Sequence, residues 1–450
     1  MDTTRRLFLA TAAVSGAGLA SAATPADAAR TSQSILDGAD FGLRPGRSSP
    51  QTKQLQRAMN AAVKQRKTLL LPGGVFFAAQ LRIRGDVHLQ GVPGSTRIIA
   101  ANGKPLLRID GGKRVRLDDI IFDGNHAAPI GDHALGLVQS VGIQTLQVER
   151  CEFVRSRRNG LSLKSCAGSI QSSRFAENRN AGVFSLDSDG LLISGNRIED
   201  CSNNGILIWQ SEKRHDGSIV TQNHIRRIGA KDGGSGQNGN GINIYRAANV
   251  TAAQNTISEC TFSAVRCNAG DNVQITGNTC TDLGETALYV EFGFEGAVIS
   301  NNVVDLAAIG IAITNLNVGG RLAACSGNVI RNITRTRVND SSGIGIGADG
   351  DSAVTGNVIE NAHGAGIALG WGPHLQNAIA TGNMIKDCNV GVEATTADGA
   401  GKAIISNNII AAPKAGGIFG MHWAKRVTDD LSRPGTATPA NLSVSGNQVV

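Results

Sequence analysis

Arg266, Tyr289 and Glu291 are three residues that could together neutralise a carboxylate and move a proton. Each sits in a short apolar run, Val265-Arg266-Cys267-Asn268 or Leu288-Tyr289-Val290-Glu291, of a kind that recurs along the chain. In a strand, alternate residues point to opposite faces. Aligned with the earlier runs Gly205-Ile206-Leu207-Ile208-Trp209 and Gly241-Ile242-Asn243-Ile244-Tyr245, they give two outward columns. One reads Leu207, Asn243, Arg266, Tyr289, and the other Trp209, Tyr245, Asn268, Glu291. Both tyrosines of the chain and one of its three tryptophans fall here, while Trp371 and Trp423 lie just beyond the same run in later copies. Aromatic faces stack on the apolar faces of sugar rings, and Asn and Arg bind hydroxyls or carboxylates. In such a site Arg266 would neutralise a uronate carboxylate, and Tyr289 or Glu291 would exchange the neighbouring proton. Trp209, Asn243, Tyr245, Asn268 and Trp371 would bind the substrate. The insertion Glu212-Lys213-Arg214-His215-Asp216 is expected to overhang this face and add His215. A plainer reading is that the aromatics seat the loops leaving these strands. Glu291 has no outward acidic neighbour in the adjacent copies, which counts against hydrolysis by paired carboxylates.

The elements that must carry these residues are legible in a repeated phrase. Gly195-Asn196-Arg197-Ile198 is followed by Gly205-Ile206-Leu207-Ile208, and Gly356-Asn357-Val358-Ile359 by Gly366-Ile367-Ala368-Leu369. The Asn recurs at 196, 223, 255, 278, 302, 328, 357, 383, 408 and 447, mostly 23 to 32 residues apart. Such a period, built from β-branched runs between Gly and Asn, marks a coiled stack of strands. The asparagines are expected to bond their amides along the stack. At about 4.8 Å per turn, ten or more turns make a rod on the order of 50 Å long. Within each copy the apolar positions point inward, as in Ile193/Ile198/Cys201, Val273/Cys280/Leu283 and Cys325/Ile330/Ile333. Cys201, Cys260 and Cys388 share one inward turn position, and Cys267, Cys280 and Cys325 take inward strand positions, so most of the eight cysteines replace aliphatic core residues and buried free thiols are the better reading than disulfides. Before the stack, Leu55, Ala58, Met59, Ala62 and Val63 form one face of a helix starting at Ser49-Pro50. With Asp40-Phe41-Gly42 and Leu71-Pro72-Gly73-Gly74 it makes a cap over about residues 40–75, lidding the open end of the coil.

Composition agrees. The 450 residues hold 57 Gly and only 4% aromatics, which suits a stack with tight turns better than a core of large side chains. The formal charge of +7 permits an acidic polymer as partner, and without Lys/Arg runs it does not suggest nucleic acid. Residues 1–28 read as an export signal: Arg5-Arg6 precedes a mild Ala/Gly-rich segment, with small-X-small sites ending near 22 and 28. This implies the twin-arginine (Tat) export machinery, a periplasmic or secreted destination, and no membrane span in the mature chain. Residues 29–450 are then a single domain.

The repeats resemble right-handed parallel β-helix proteins of the pectate-lyase-like superfamily, and with Arg5-Arg6 they resemble a family of Tat-translocated β-helix repeat proteins of unassigned activity. The resemblance implies an all-β, right-handed parallel β-helix solenoid with a short N-terminal capping helix. It covers roughly residues 40 to 450 and is specific for fold rather than reaction, since such coils carry lyases, hydrolases, epimerases and binding modules. Lyase or C5-epimerase action on an acidic polysaccharide is one expectation, and a non-catalytic glycan-binding or envelope scaffold protein is the other.

The remaining signals are weaker. No cofactor or metal motif is evident. Calcium at Asp187-Ser188-Asp189-Gly190 or Asp349-Gly350-Asp351 is unsupported: each offers few ligands, and Asp-Gly is common turn chemistry. His363 reads as an ordinary turn residue. Lys231 to Asn240, Gly370 to Asn377 and Met421 to Ala440 exceed the repeat and are expected to be surface loops. The last of these, or a partner, is expected to cover the final strand edge.

Overall fold

A computed structural model describes residues 34–102, 104–126, 136–314, 319–334 and 343–450. The expected export signal lies outside the described residues. Leu36–Val450 is one compact unit, a parallel β-helix of about 13 turns. A turn of coil is built from three strands, for example Leu191–Ser194, Arg197–Glu199 and Asn204–His215. The first strands of successive turns stack in a 16-stranded sheet, and the second and third stack in a 28-stranded sheet. Among the described residues these stacked strands pair in parallel, turn on turn.

The turn between first and second strands fixes the register. From Asn196 to Asn447 each buried amide Nδ2 donates to the Oδ1 of the next asparagine at 2.9–3.0 Å. In the middle of the run each Nδ2 also donates to a carbonyl of the preceding turn, and each Oδ1 accepts a backbone N–H, so the amides are satisfied along the ladder. The residue before the ladder Asn is left-handed, as at Gly356 (φ 62°) and Gln222 (φ 57°). Glycine recurs there for its backbone conformation, since a Cβ at Gly356 would meet open space.

Inward positions build a continuous core. Phe122, Phe153 and Phe175 stack at 5.3 and 4.9 Å, and Ile198, Ile225 and Ile257 continue their column. All eight cysteines are buried and free, and burial pushes Cys201, Cys267, Cys280 and Cys325 up to about 12.

The cap helix, α1, runs Thr52–Gln65, starting later than Ser49-Pro50. The reason lies in Gln51, whose side chain bonds both the N–H and the carbonyl of Arg44 and so pins the preceding chain instead of capping the helix. α1 buries Leu55, Ala58, Met59 and Ala62 and stops at left-handed Arg66. At the other end, the segment after Met421 folds back over the strand Gly416–His422. Asp430 accepts from the backbone N–H groups of Gly417 and Ile418 at 2.8 and 3.0 Å, and Leu431 donates to the Ile418 carbonyl. This closes the edge of the strand Gly416–His422, whereas the last strands, Leu442–Ser445 and Gln448–Val449, pair on one side only among the described residues.

Candidate functional site

Strand pairing sets both outward columns in register. Leu207, Asn243, Arg266 and Tyr289 lie opposite one another in successive turns, as do Trp209, Tyr245, Asn268 and Glu291. The first column continues through Ala312, Gly347, Ala368, Glu393 and Phe419, and the second through Thr314. Asp349 follows the strand Ile346–Ala348 and, by alternation, takes the next outward place after Thr314.

Arg266 and Glu291 are found bonded to each other. Arg266 Nε and Nη2 donate to the two Glu291 oxygens at 2.8 Å each, and Nη1 donates to Glu285 Oε2 at 3.2 Å and to the Ser235 carbonyl at 2.8 Å. Asn268 adds a bond to Glu291 Oε1 at 2.9 Å, and Arg266 lies 4.6 Å from the Tyr289 ring centre. Burial opposes the Arg266 charge, but Glu291 and Glu285 outweigh it and raise the guanidinium further. As expected, Glu291 has no acidic neighbour in the adjacent turns, where Asn268 and Thr314 stand opposite it, but Glu285 of its own turn shares Arg266. Glu285 lies on the same strand, Thr279–Glu291, where the register shifts between Leu283 and Thr286, a break that strict alternation cannot anticipate. Burial, with Glu291, raises the Tyr289 hydroxyl above its usual range, so Tyr289 holds its proton rather than taking one.

The aromatic end of the face is a packed cluster. Trp209 donates to Asn243 Oδ1 at 3.0 Å and meets Phe184 and Tyr245 edge-on at 5.6 and 5.7 Å. Asn243 donates to the Gly236 carbonyl at 3.0 Å, so the loop expected from Lys231 lies over Asn243 and Arg266. The expected arm after Trp209 also reaches along the coil: Lys213 bonds the Gly293 carbonyl at 2.6 Å and Asp271 at 2.7 Å. His215 is not brought to this group. It sits opposite Ala248, with Asn249 at 2.7 Å and Asp189 at 3.6 Å. Trp371 is 48% exposed and belongs to a second cluster, edge-on to Trp423 at 5.8 Å, with His374 also against Trp423.

Between the two clusters the face drops. Ala312, Gly347 and Ala368 form a floor, and among the described residues a Cβ on Gly347 would meet only Ile344, at 4.0 Å. Beside this floor Asp349 is 6% exposed, and no hydrogen bond or ion pair reaches its carboxyl among the described residues. Burial alone pushes it up to about 7. Glu393, half-buried, is also raised by burial, partly offset by Arg426. Sequence reasoning missed both as site residues. The available signal was alternation from Ile346 and Ala348, which turns Asp349 outward. Among the described residues no three His, Cys, Asp or Glu side chains are grouped to hold a metal.

A sequence profile for the right-handed β-helix region matches residues 94–225 and 159–318, which together span half of the chain. No curated protein matches by sequence. Among solved structures, the catalytic unit of a GH87 α-1,3-glucanase from Streptomyces thermodiastaticus is similar, at 15% identity and TM-score 0.52 over 95% of this chain and 70% of that one. ORF18 of Geobacillus virus E2 matches at 13% identity and TM-score 0.47 over 62% of this chain, which spans 59% of that protein. The mannuronan C-5 epimerase AlgE6 A-module of Azotobacter vinelandii matches at 16% identity and TM-score 0.42, over 92% and 99%. These likenesses extend to the fold.

Proposed function

The chain belongs to the right-handed β-helix family, and from that premise we propose that it holds an acidic polysaccharide along the face running from Trp209 to Trp371. The observation that carries this reading is the step in side-chain size along the first column. Phe184, Leu207 and Tyr289 give way to Ala312, Gly347 and Ala368 before Glu393 and Phe419 close the far side. Three turns of small residues make a trench about 14 Å long. Its floor suits the apolar face of sugar rings, and aromatic side chains stand at both ends. With Arg266 paired internally, protonated Asp349 is a group able to hydrogen-bond a uronate carboxylate without repelling it.

Finer chemistry of lyase or C5-epimerase type fits this frame, because both reactions begin at the proton beside such a carboxylate. In it Tyr289, which keeps its proton, is a donor. The closed Arg266–Glu291 pair favours a second reading, in which the face binds a glycan without changing it. In either case the protein is proposed to work in the periplasm or outside the cell, reached through the Tat pathway read from Arg5-Arg6. Proton NMR of acidic polysaccharides incubated with the protein tests the chemistry. New unsaturated or epimerised signals are expected from an enzyme, whereas binding with unchanged spectra removes the lyase and epimerase readings and leaves the glycan-binding one.

A further inference from the structure

The outer surface of the 16-stranded sheet changes character along the rod. One of its outward columns carries Thr68, His88, Arg116, Gln147 and Ser169 in the early turns and Val298, Ala324, Ala353, Ile379 and Ile404 in the late ones, before Ser443 in the last. Val298, Ile379 and Ile404 are 42%, 39% and 43% exposed. They floor a shallow trough of about 880 Å³ that lies on a different sheet from the polysaccharide trench. Exposed apolar surface of this continuity, with a polar rim, marks an interaction surface.

The rim says what fits it. Asp351, Asn377 and Lys402 follow one another in three successive turns, directly beside Ala353, Ile379 and Ile404. Lys402 has no ion-pair partner among the described residues, while Asp351 takes one bond, 2.8 Å from Asn377. The column is acidic, neutral and basic in order, so it complements itself when reversed. We propose that this face is a dimer interface between two copies of the chain. The two-fold axis lies in the interface along the strand Asn377–Thr381. That axis reverses the order of turns while keeping each position along the strands. Ile379 then meets its own copy, Ile404 of one copy packs over the small Ala353 of the other, and Lys402 of one faces Asp351 of the other. A closed, self-complementary contact of this kind stops at two copies. It leaves the polysaccharide trench of each copy open.

The overlap runs from the turn of Ala324 to that of Ser443, about 19 Å along the coils. An interface of this length belongs to the small class, so the dimer dissociates on dilution. Sedimentation velocity of the full chain over roughly a hundredfold range of concentration tests it. The expected result is a monomer–dimer equilibrium that weakens roughly tenfold or more in Asp351→Lys and in Lys402→Asp. The double variant, which restores opposite charges across the axis, is expected to dimerise close to wild type. A wild-type monomer at every concentration overturns the proposal. So does a dimer that neither Asp351→Lys nor Ile379→Glu disturbs.

Discussion

Asn302→Leu is expected to cost several kcal/mol of stability. Asn302 sits mid-ladder, fully buried, and its side chain makes four hydrogen bonds. Its Oδ1 accepts from the backbone N–H and the Nδ2 of Asn278, and its Nδ2 donates to Asn328 Oδ1 and to the Ile275 carbonyl. Leucine fills a similar volume but leaves the Asn278 N–H and the Ile275 carbonyl buried without these partners, at about 1–3 kcal/mol for each unsatisfied group. In a stack where each turn contacts only its neighbours, the damage stays local. Hydrogen exchange should accelerate in the turns around Asn278 to Asn328 before it does so at the ends of the rod. Ser300→Ala, at a half-exposed hydroxyl two residues away, is the control and should stay within about 0.5 kcal/mol of wild type. A denaturation midpoint for Asn302→Leu that matches Ser300→Ala would show that the ladder is an ornament of the fold.

The second large effect concerns Asp349 and has the opposite sign. In the folded protein its carboxyl keeps its proton up to about 7, against 3.8 for an ordinary aspartate. Between those values the folded state binds more protons than the unfolded one, so stability falls as pH rises through this window and levels off above about 7. The gap corresponds to at most about 4 kcal/mol at pH 8. Asp349→Asn removes the ionisation at nearly constant size. It should therefore unfold at a higher temperature than wild type at pH 8, with the difference shrinking toward pH 4. A group kept at such a cost is characteristic of functional sites. Polysaccharide binding by wild type should weaken above pH 7, and the variant should lose that dependence. Equal melting temperatures at pH 8 would mean that the carboxyl finds a partner or solvent in solution.

How much of this was legible in the sequence depended on what sets each feature. The asparagine ladder and the outward columns follow from two strict periods, one per turn of coil and one per two residues. Aligning Asn196 to Asn447 therefore also aligned Trp209 with Tyr245 and Arg266 with Tyr289. Features set by departures from the period were hidden. Glu285 reaches Arg266 only because the strand slips between Leu283 and Thr286, and Gln51 delays α1 by bonding Arg44. Burial of an outward residue depends on what folds over it. Asp349 thus read as a turn residue, and Arg266 as a free charge, although Asp349 is buried and Arg266 lies under the loop carrying Ser235.

If a polysaccharide lies over Gly347, a large side chain at that position must displace it. Gly347 has an ordinary backbone conformation and, among the described residues, no atom nearer than Ile344 at 4.0 Å where a Cβ would go, so Gly347→Phe fills the trench without entering the core. Titration of acidic and neutral polysaccharides into wild type and variant, by calorimetry, is the measurement. Wild type is expected to bind an acidic polymer, and Gly347→Phe, melting as wild type does, to lose that binding by roughly a hundredfold or more. Undiminished binding by a folded Gly347→Phe protein, or no binding by wild type across the panel, would contradict binding over Gly347.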